Sequence, residues 1–424
     1  MLKNHPKGIM VLFFTEMWER FGFYIMMAIL VLYMDSEFGW DDSLKGDHYG
    51  IFLGVVYLIP MLGGWLGDRY FGQIRIVRAG AVSMGIGYAA LALSSSSQLV
   101  PFYIGLFLVA FGTGIFKVNM AVLVGNLYRD NVKLKDAGFN IFYMGVNVGA
   151  ALAPLAATLL GILFEDYRAS FTAAALGMVI CLITFTFGKH KLLKADVLES
   201  KKLDQSFNNI EISVYEYRHR IFSLIILIAI VIFFWVAFYQ NGFALTLFAE
   251  RSTIESEILR PETYQFFNPF FILLLTPIML RYFSFLNKRG KEPSTPVKIF
   301  IGMIIMGLSM IIMVTASLEG GNEDANNMSP SWLITTYFIV TLAEILISPM
   351  GQSYISKVAP HKIQGLMMGG WFLATSIGSY GSGLLGKFYS DFDHHEYFIL
   401  LTCILFFSSV LVLFSLKRLK KYSS

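Results

Sequence analysis

Twelve apolar runs long enough to cross a bilayer constrain this chain more than any other feature, because hydrocarbon leaves the backbone little choice but the helix. A span takes about 20 apolar residues. Runs of that order lie at roughly 8–34, 49–67, 74–94, 99–127, 137–163 and 169–188, and again at roughly 220–249, 264–286, 297–317, 331–356, 364–388 and 397–416. Between the two sets lies a polar stretch with Lys189, Lys191, Lys194, Lys201, Lys202, Asp204, Gln205, Asn208 and Asn209. The expected fold class is an all-α membrane protein with twelve transmembrane helices in two six-helix bundles. The N-terminal bundle is expected over 1–188, a cytoplasmic linker over 189–217 and the C-terminal bundle over 218–424.

Composition agrees: of 424 residues, 56% are hydrophobic and only 15% charged, so lipid is the main solvent. The net charge of +4 comes from the loops and does not indicate a nucleic-acid partner. One alternate set of loops, with the two ends, carries most of the basic residues, from Lys3 and Lys7 through Arg69, Arg75, Arg78, Arg129, Lys133, Lys135 and the linker to Arg281–Lys298, Lys357, Lys362 and Lys417–Lys421. The opposite set holds only Lys45, Arg168, Arg251, Arg260 and Lys387. Lys and Arg favour the cytoplasmic side, so both termini are expected there, which an even number of spans requires. The opposite loops are acidic, with Asp35, Glu37, Asp41, Asp42 and Asp47 after the first span and Glu250, Glu255, Glu257 and Glu262 after the seventh; they read as solvated. The first run contains three charges and is too long for a cleavable signal, so it reads as a retained span.

The two cysteines, Cys181 and Cys403, sit in apolar runs of different halves and suggest neither a disulfide framework nor a metal site. All seven histidines fall in or beside loops, so proton chemistry at membrane depth must use carboxylates. No metal, cofactor or catalytic set is expected. Gly85-x-Gly87-x-x-Ala90 superficially matches a dinucleotide fingerprint but lies inside an apolar span with no preceding strand.

An ionisable residue in mid-span costs about 2.5 to 3.5 kcal/mol on insertion scales and is a functional candidate by default. Glu16, Glu19, Arg20, Lys117 and Glu344 are such residues. Positions 16, 19, 20 and 23 share one helix face, where the guanidinium can pair with a carboxylate. Three acids against two bases leave one negative charge in excess, and one proton would neutralise it; that proton is the expected coupling ion. Lys117 follows Gly112 and Gly114 in the fourth span, and Glu344 precedes Pro349 and Gly351 in the tenth. These are corresponding spans of the two halves, so a cation and an anion are expected to face one cavity suited to a zwitterion. A faint repeat, Phe13-Phe14 with Gly22-Phe23 against Phe233-Phe234 with Gly242-Phe243, also relates the halves.

These residues resemble the proton-dependent oligopeptide transporters of the major facilitator superfamily. The span-one signature E-x-x-E-R-F stands here as Glu16-Met17-Trp18-Glu19-Arg20-Phe21, with Tyr24 following. The second signature is similar to Phe111-Gly-Thr-Gly-Ile-Phe-Lys117-Val-Asn119, continuing through Gly125, Tyr128, Asp136-Ala-Gly138-Phe139, Asn147 and Pro154. Asn268-Pro269-Phe270-Phe271, Glu344 with Ser348-Pro349-x-Gly351, and Trp371 extend the match, and Gly64-Trp-Leu-Gly-Asp68-Arg69-x-x-Gly72 resembles the facilitator loop motif.

The resemblance implies the major facilitator fold and a proton-coupled symporter that imports di- and tripeptides by alternating access, as a monomer in the lipid of the inner membrane. It implies that Glu16, Glu19 and Arg20 form the proton-linked switch. Arg20 and Lys117 would receive the substrate carboxylate, Glu344 its ammonium, Asn147 and Asn268 the peptide backbone, with Tyr24, Tyr57 and Trp371 shaping side-chain pockets. The chain departs from the family at Phe238-Tyr239-Gln240, where an acid usually pairs with the span-four lysine; Tyr239 either hydrogen-bonds Lys117 or leaves it to pair elsewhere. Lys117-Val118-Asn119 and Phe23 are further departures, and the linker is too short and polar for the two extra helices of many bacterial members. An alternative keeps the fold and changes the cargo to nitrate, an amino-acid conjugate or a drug; Glu344 has a use for an amine-bearing substrate and little for a simple anion.

Overall fold

The computed structural model describes residues 5–129, 131, 134–196, 214–254, 256–360 and 363–421. Lys3, Lys133, Glu255, His361, Lys362 and most of the linker, from 197 to 213 with Lys201, Lys202, Asp204, Gln205, Asn208 and Asn209, lie outside the described residues. Among the described residues, eleven helical segments are long and apolar enough to cross a membrane. They are α1 (Gly8–Phe38), α2 (Asp42–Phe71), α3 (Gln73–Ala92), α4 (Val100–Leu127), α5 (Lys135–Phe164), α6 (Arg168–Lys191), α7 (Tyr215–Arg251), α8 (Pro261–Lys288), α9 (Thr295–Glu319), α10 (Pro330–Val358) and, last in the chain, α12 (His394–Lys420). A further helix, α11 (Gln364–Gly386), has 23 residues. At about 1.5 Å per residue it also spans the hydrocarbon, while its many glycines and serines lower its apolarity. The protein is thus an all-helical multi-pass membrane protein, and no strand forms among the described residues beyond isolated bridges.

Several helices are interrupted where the sequence withholds a backbone donor or a side chain. Pro60 ends the first part of α2 at Ile59, and a π turn follows over Gly67–Phe71. Segment α7 narrows to a 3₁₀ turn at Tyr239–Gly242, and α8 begins as a 3₁₀ helix over Pro261–Phe266. Pro154, Pro277 and Pro349 lie inside α5, α8 and α10.

Two compact units emerge, one of Met1–Gly39 and Val55–Phe207, the other of Trp40–Gly54 and Asn208–Ser424. In the first unit α1 packs on α5 and α6, α3 on α4 and α6, and the later part of α2 on α4. Association in lipid relies on close packing rather than on expulsion of water, so small residues line these seams. A Cβ added at Gly149 would lie 2.2 Å from the Met17 carbonyl oxygen, so only glycine lets α5 approach α1 beside the charged face. Asn119, buried on α4, donates to the carbonyls of Gly63 at 2.8 Å and Ile115 at 2.7 Å and so ties α4 to the broken stretch of α2.

In the second unit α9 packs on α10 and α12, α7 on α11 and α12, and α8 on α10. The first part of α2 joins this unit: a Cβ at Gly383 of α11 would lie 2.4 Å from the Gly46 carbonyl oxygen, and Ser376 Oγ donates to Gly54 O at 2.7 Å. Here, at Asp42 and Glu262, the structure corrects the reading of the acidic loops as solvated. Asp42 and Lys45 begin α2 and are buried. Asp42 Oδ1 lies 2.8 Å from Lys45 Nζ and 2.9 Å from Arg251, and Ser390 Oγ also donates to Asp42. Lys387 pairs with Asp47 at 3.0 Å. Opposite charges drawn from three stretches of chain compensate one another, which is how charged residues occur inside a packed helix end. Glu262 is likewise buried, 3.2 Å from Arg260.

Candidate functional site

The first unit carries a charged set on α1 that only mutual pairing makes tolerable in an apolar interior. Arg20 grips Glu19 with two parallel hydrogen bonds, from Nε to Oε2 and from Nη2 to Oε1, the second at 2.6 Å. The same Nε lies 3.6 Å from Glu16 Oε1, one helical turn earlier. All three side chains are buried, and Glu16 Oε2 has no hydrogen-bond partner among the described residues. The fork of a guanidinium suits one carboxylate at a time, so Glu19 holds the two-pronged position and Glu16 a looser one. Phe23, where the family resemblance places a tyrosine, lies under the guanidinium with its ring centre 5.1 Å from Arg20 Cζ, and Tyr24 stands edge-on to Phe23.

Lys117, on α4, is half-buried and has no carboxylate within ion-pair distance among the described residues; its ammonium instead lies 5.5 Å from the centre of the Tyr57 ring. It stands within electrostatic reach of Glu16 and Arg20. The structure therefore groups Glu16, Glu19, Arg20, Tyr24, Tyr57 and Lys117, with two acids balancing two bases. Asn147 is buried on α5, and its amide donates to the Tyr143 carbonyl of its own helix at 2.9 Å, which leaves the carbonyl end of that side chain for another partner.

In the second unit the in-span carboxylate is Glu344 of α10. Its Oε2 accepts from Asn268 Nδ2 of α8 at 2.9 Å, and the same amide donates to Thr341 Oγ1 at 3.1 Å. Thr341 in turn donates to the Tyr337 carbonyl at 2.7 Å, so the amide is fixed from both sides. Glu344 is half-buried and has no basic partner within ion-pair distance among the described residues. Among the described residues the α1 set thus pairs two acids with two bases within its unit, and Glu344 stands without a basic residue at ion-pair distance.

The same unit holds an aromatic group on α7 and α11, which reaches α10 at Gly351. Tyr239 stacks on Trp235 with ring centres 5.7 Å apart, and Trp235 meets Trp371 edge-on at 6.3 Å. Trp371 is fully buried, and a Cβ added at Gly351 would lie 2.1 Å from its ring, so glycine there is what makes room for the indole. Trp371 is a buried wall, and Trp235, one of many aromatics in an apolar run, carried no signal that singled it out. Thr341 was equally invisible, although its position one turn before Glu344 on the same helix was a cue. Among the described residues no group of three His, Cys, Asp or Glu could hold a metal ion.

Known proteins fit this arrangement. A family model described as the POT family matches residues 74–219 and 199–400. The uncharacterized transporter YclF of Bacillus subtilis is 33% identical over 445 residues, covering 91% of this chain and 89% of that protein. The peptide transporter YePEPT of Yersinia enterocolitica is 30% identical over 453 residues, covering 90% and 88%. The crystal structure of a peptide transporter POT in complex with sulfate superposes with a TM-score of 0.89 at 29% identity, covering all of this chain and 97% of the other. With two signatures in place, a family model matching most of its length and relatives matched almost end to end, the chain belongs to the POT family and has its all-α major facilitator fold.

Proposed function

We propose that this chain is a proton-coupled symporter that imports di- and tripeptides by alternating access, with 1–188 and 218–424 as its working halves and 189–217 as their linker. The observation that carries the reading is Glu344: a carboxylate oriented by Asn268 and Thr341, lacking a cation among the described residues, is a receptor for an ammonium. Arg20 and Lys117 supply the complementary capacity for a carboxylate. A substrate with both ends charged satisfies both sets, whereas a simple anion has no use for Glu344. The peptide transporters among its relatives support the same cargo.

In the proposed mechanism Arg20 is shared between Glu19 and the arriving substrate. A substrate carboxylate takes the guanidinium fork, with Lys117 adding charge, and Glu19 loses its strongest partner. A carboxylate stripped of its cation in an apolar pack favours the neutral form, so substrate and proton are taken up together. Glu16, with one oxygen free, is the second acid through which the proton is accepted and released. Asn147 and Asn268 contact the peptide backbone, and Tyr24, Tyr57, Tyr239 and Trp371 shape the apolar walls. No cofactor takes part; the proton is the coupling ion. The basic loops support placing both termini in the cytoplasm, and the reading takes the protein to work as a monomer in the inner membrane.

Uptake of labelled alanyl-alanine into proteoliposomes, competed by excess trialanine or nitrate, tests the cargo. Trialanine is expected to suppress uptake and nitrate to leave it unchanged; suppression by nitrate alone would replace the peptide reading with an anion carrier.

A further inference from the structure

Behind the charged face of α1 lies a group with no role in the mechanism above. Tyr88 of α3 is fully buried, and its hydroxyl has no hydrogen-bond partner among the described residues, a costly condition in a protein interior. Its ring lies against α1 one turn beyond Glu19: a Cβ added at Gly22 would sit 3.1 Å from Tyr88 Cε2. Tyr88 stands within electrostatic reach of Glu19, Arg20 and Cys181. From α6, Cys181 Sγ donates to the Thr15 carbonyl at 3.4 Å, and Thr15 Oγ1 is a second buried oxygen without a partner. Residues 15, 19 and 22 follow the i, i+4, i+7 spacing of one helix face, and Tyr88 and Cys181 bound that face from α3 and α6. Glu19 is thus held by Arg20, while an idle hydroxyl stands within electrostatic reach of it on a ring packed one turn further along α1.

We propose that Tyr88 is the alternate hydrogen-bond donor of Glu19. When Arg20 turns from Glu19 to a substrate carboxylate, the Tyr88 hydroxyl rotates onto the Glu19 carboxylate and supports its ionised form until the proton arrives. Tyr88 is a positioning residue that sets how readily Glu19 takes up and releases its proton. The inference rests on the exchange of Arg20 in the proposed function. The charged and titratable groups facing this pair are Glu16, Arg20 and Tyr24 on α1, Lys117 on α4, and Cys181 on α6, while α5 meets this stretch of α1 through Gly145 and Gly149. Of these, Arg20 is the one that leaves Glu19 when substrate binds, so the neutral donor opposite it becomes decisive at that step.

The test is Tyr88→Phe. The hydroxyl is unpartnered in this state, so its removal is expected to leave the melting temperature within about 2 °C of the parent. In the alanyl-alanine-saturated protein, the infrared protonated-carboxyl band that disappears in Glu19→Gln is expected to grow several-fold at pH 7, because the ionised form has lost its donor. In proteoliposomes the external pH giving half-maximal uptake is expected to move about one unit alkaline. A folded Tyr88→Phe protein with the parental band and the parental pH profile would overturn the assignment. If the parent ignores the proton gradient, the symport reading fails on its own, and the infrared band alone decides for or against Tyr88.

Discussion

Replacing Glu344 by Gln removes one charge and almost nothing else, which makes it the sharpest probe of the substrate's amino end. The amide oxygen of Gln can still accept from Asn268 Nδ2, now 2.9 Å from Glu344 Oε2, so α8 and α10 stay joined and the Thr341 contact at 3.1 Å is undisturbed. What disappears is a charge-assisted hydrogen bond to an ammonium in a half-buried setting, worth about 2 kcal/mol relative to a neutral one, or about 30-fold in apparent affinity. The assay is concentration-dependent uptake of alanyl-alanine and of its N-acetylated form. Glu344→Gln is expected to raise the KM of the free-amine peptide about 30-fold while moving that of the acetylated peptide by less than about 3-fold. An equal loss for both peptides would show that Glu344 acts by shaping the fold, and an unchanged KM for both would remove it from the site.

Other perturbations test the supporting architecture. Arg251→Gln strands the buried Asp42 carboxylate with Lys45 and Ser390 alone and is expected to cost about 2 to 3 kcal/mol, read as a lowered melting temperature, with Asp42→Asn in the same chain restoring part of it. Additive losses in the double variant would contradict the pairing. Gly149→Ala places a methyl group 2.2 Å from the Met17 carbonyl oxygen and is expected to destabilise by about 1 to 3 kcal/mol; a neutral result would mean that α1 and α5 do not approach so closely. Between α8 and α9, hydrogen bonds from Lys298 and Asn287 hold the Glu292 carboxyl below its usual range of 4.5. A depressed acid stabilises above its unfolded value and loses that contribution as pH falls through the folded one, so Glu292→Gln should lower the melting temperature slightly at pH 7 and by progressively less as the pH falls below the unfolded value. A difference that grows as the pH falls would contradict this account.

The spans were legible because hydrocarbon forces long uninterrupted apolar runs, and even α11, diluted by glycine and serine, kept enough length to be read. The start of α2 was not, since Asp42 and Lys45 look like loop charges until Arg251, distant in sequence, is seen to compensate them. The candidate site divides the same way. Glu16, Glu19, Arg20, Lys117 and Glu344 stand out because a charge in an apolar run has few bland explanations. Thr341, Trp235 and Tyr88 are small or apolar enough to belong anywhere in a span, and only tertiary packing shows that the first two touch the site and that the third faces it from behind. The Tyr57 ring beneath the Lys117 ammonium carried no such signal in the sequence.

The most direct measurement of the central claim is accumulation of labelled alanyl-alanine in proteoliposomes with and without an inward proton gradient. The account predicts accumulation above the external concentration when the gradient is imposed, bare equilibration without it, and loss of the difference in Glu16→Gln or Glu19→Gln while counterflow exchange persists. Equal accumulation in the two conditions would contradict proton coupling and return the Glu16, Glu19 and Arg20 set to a structural role.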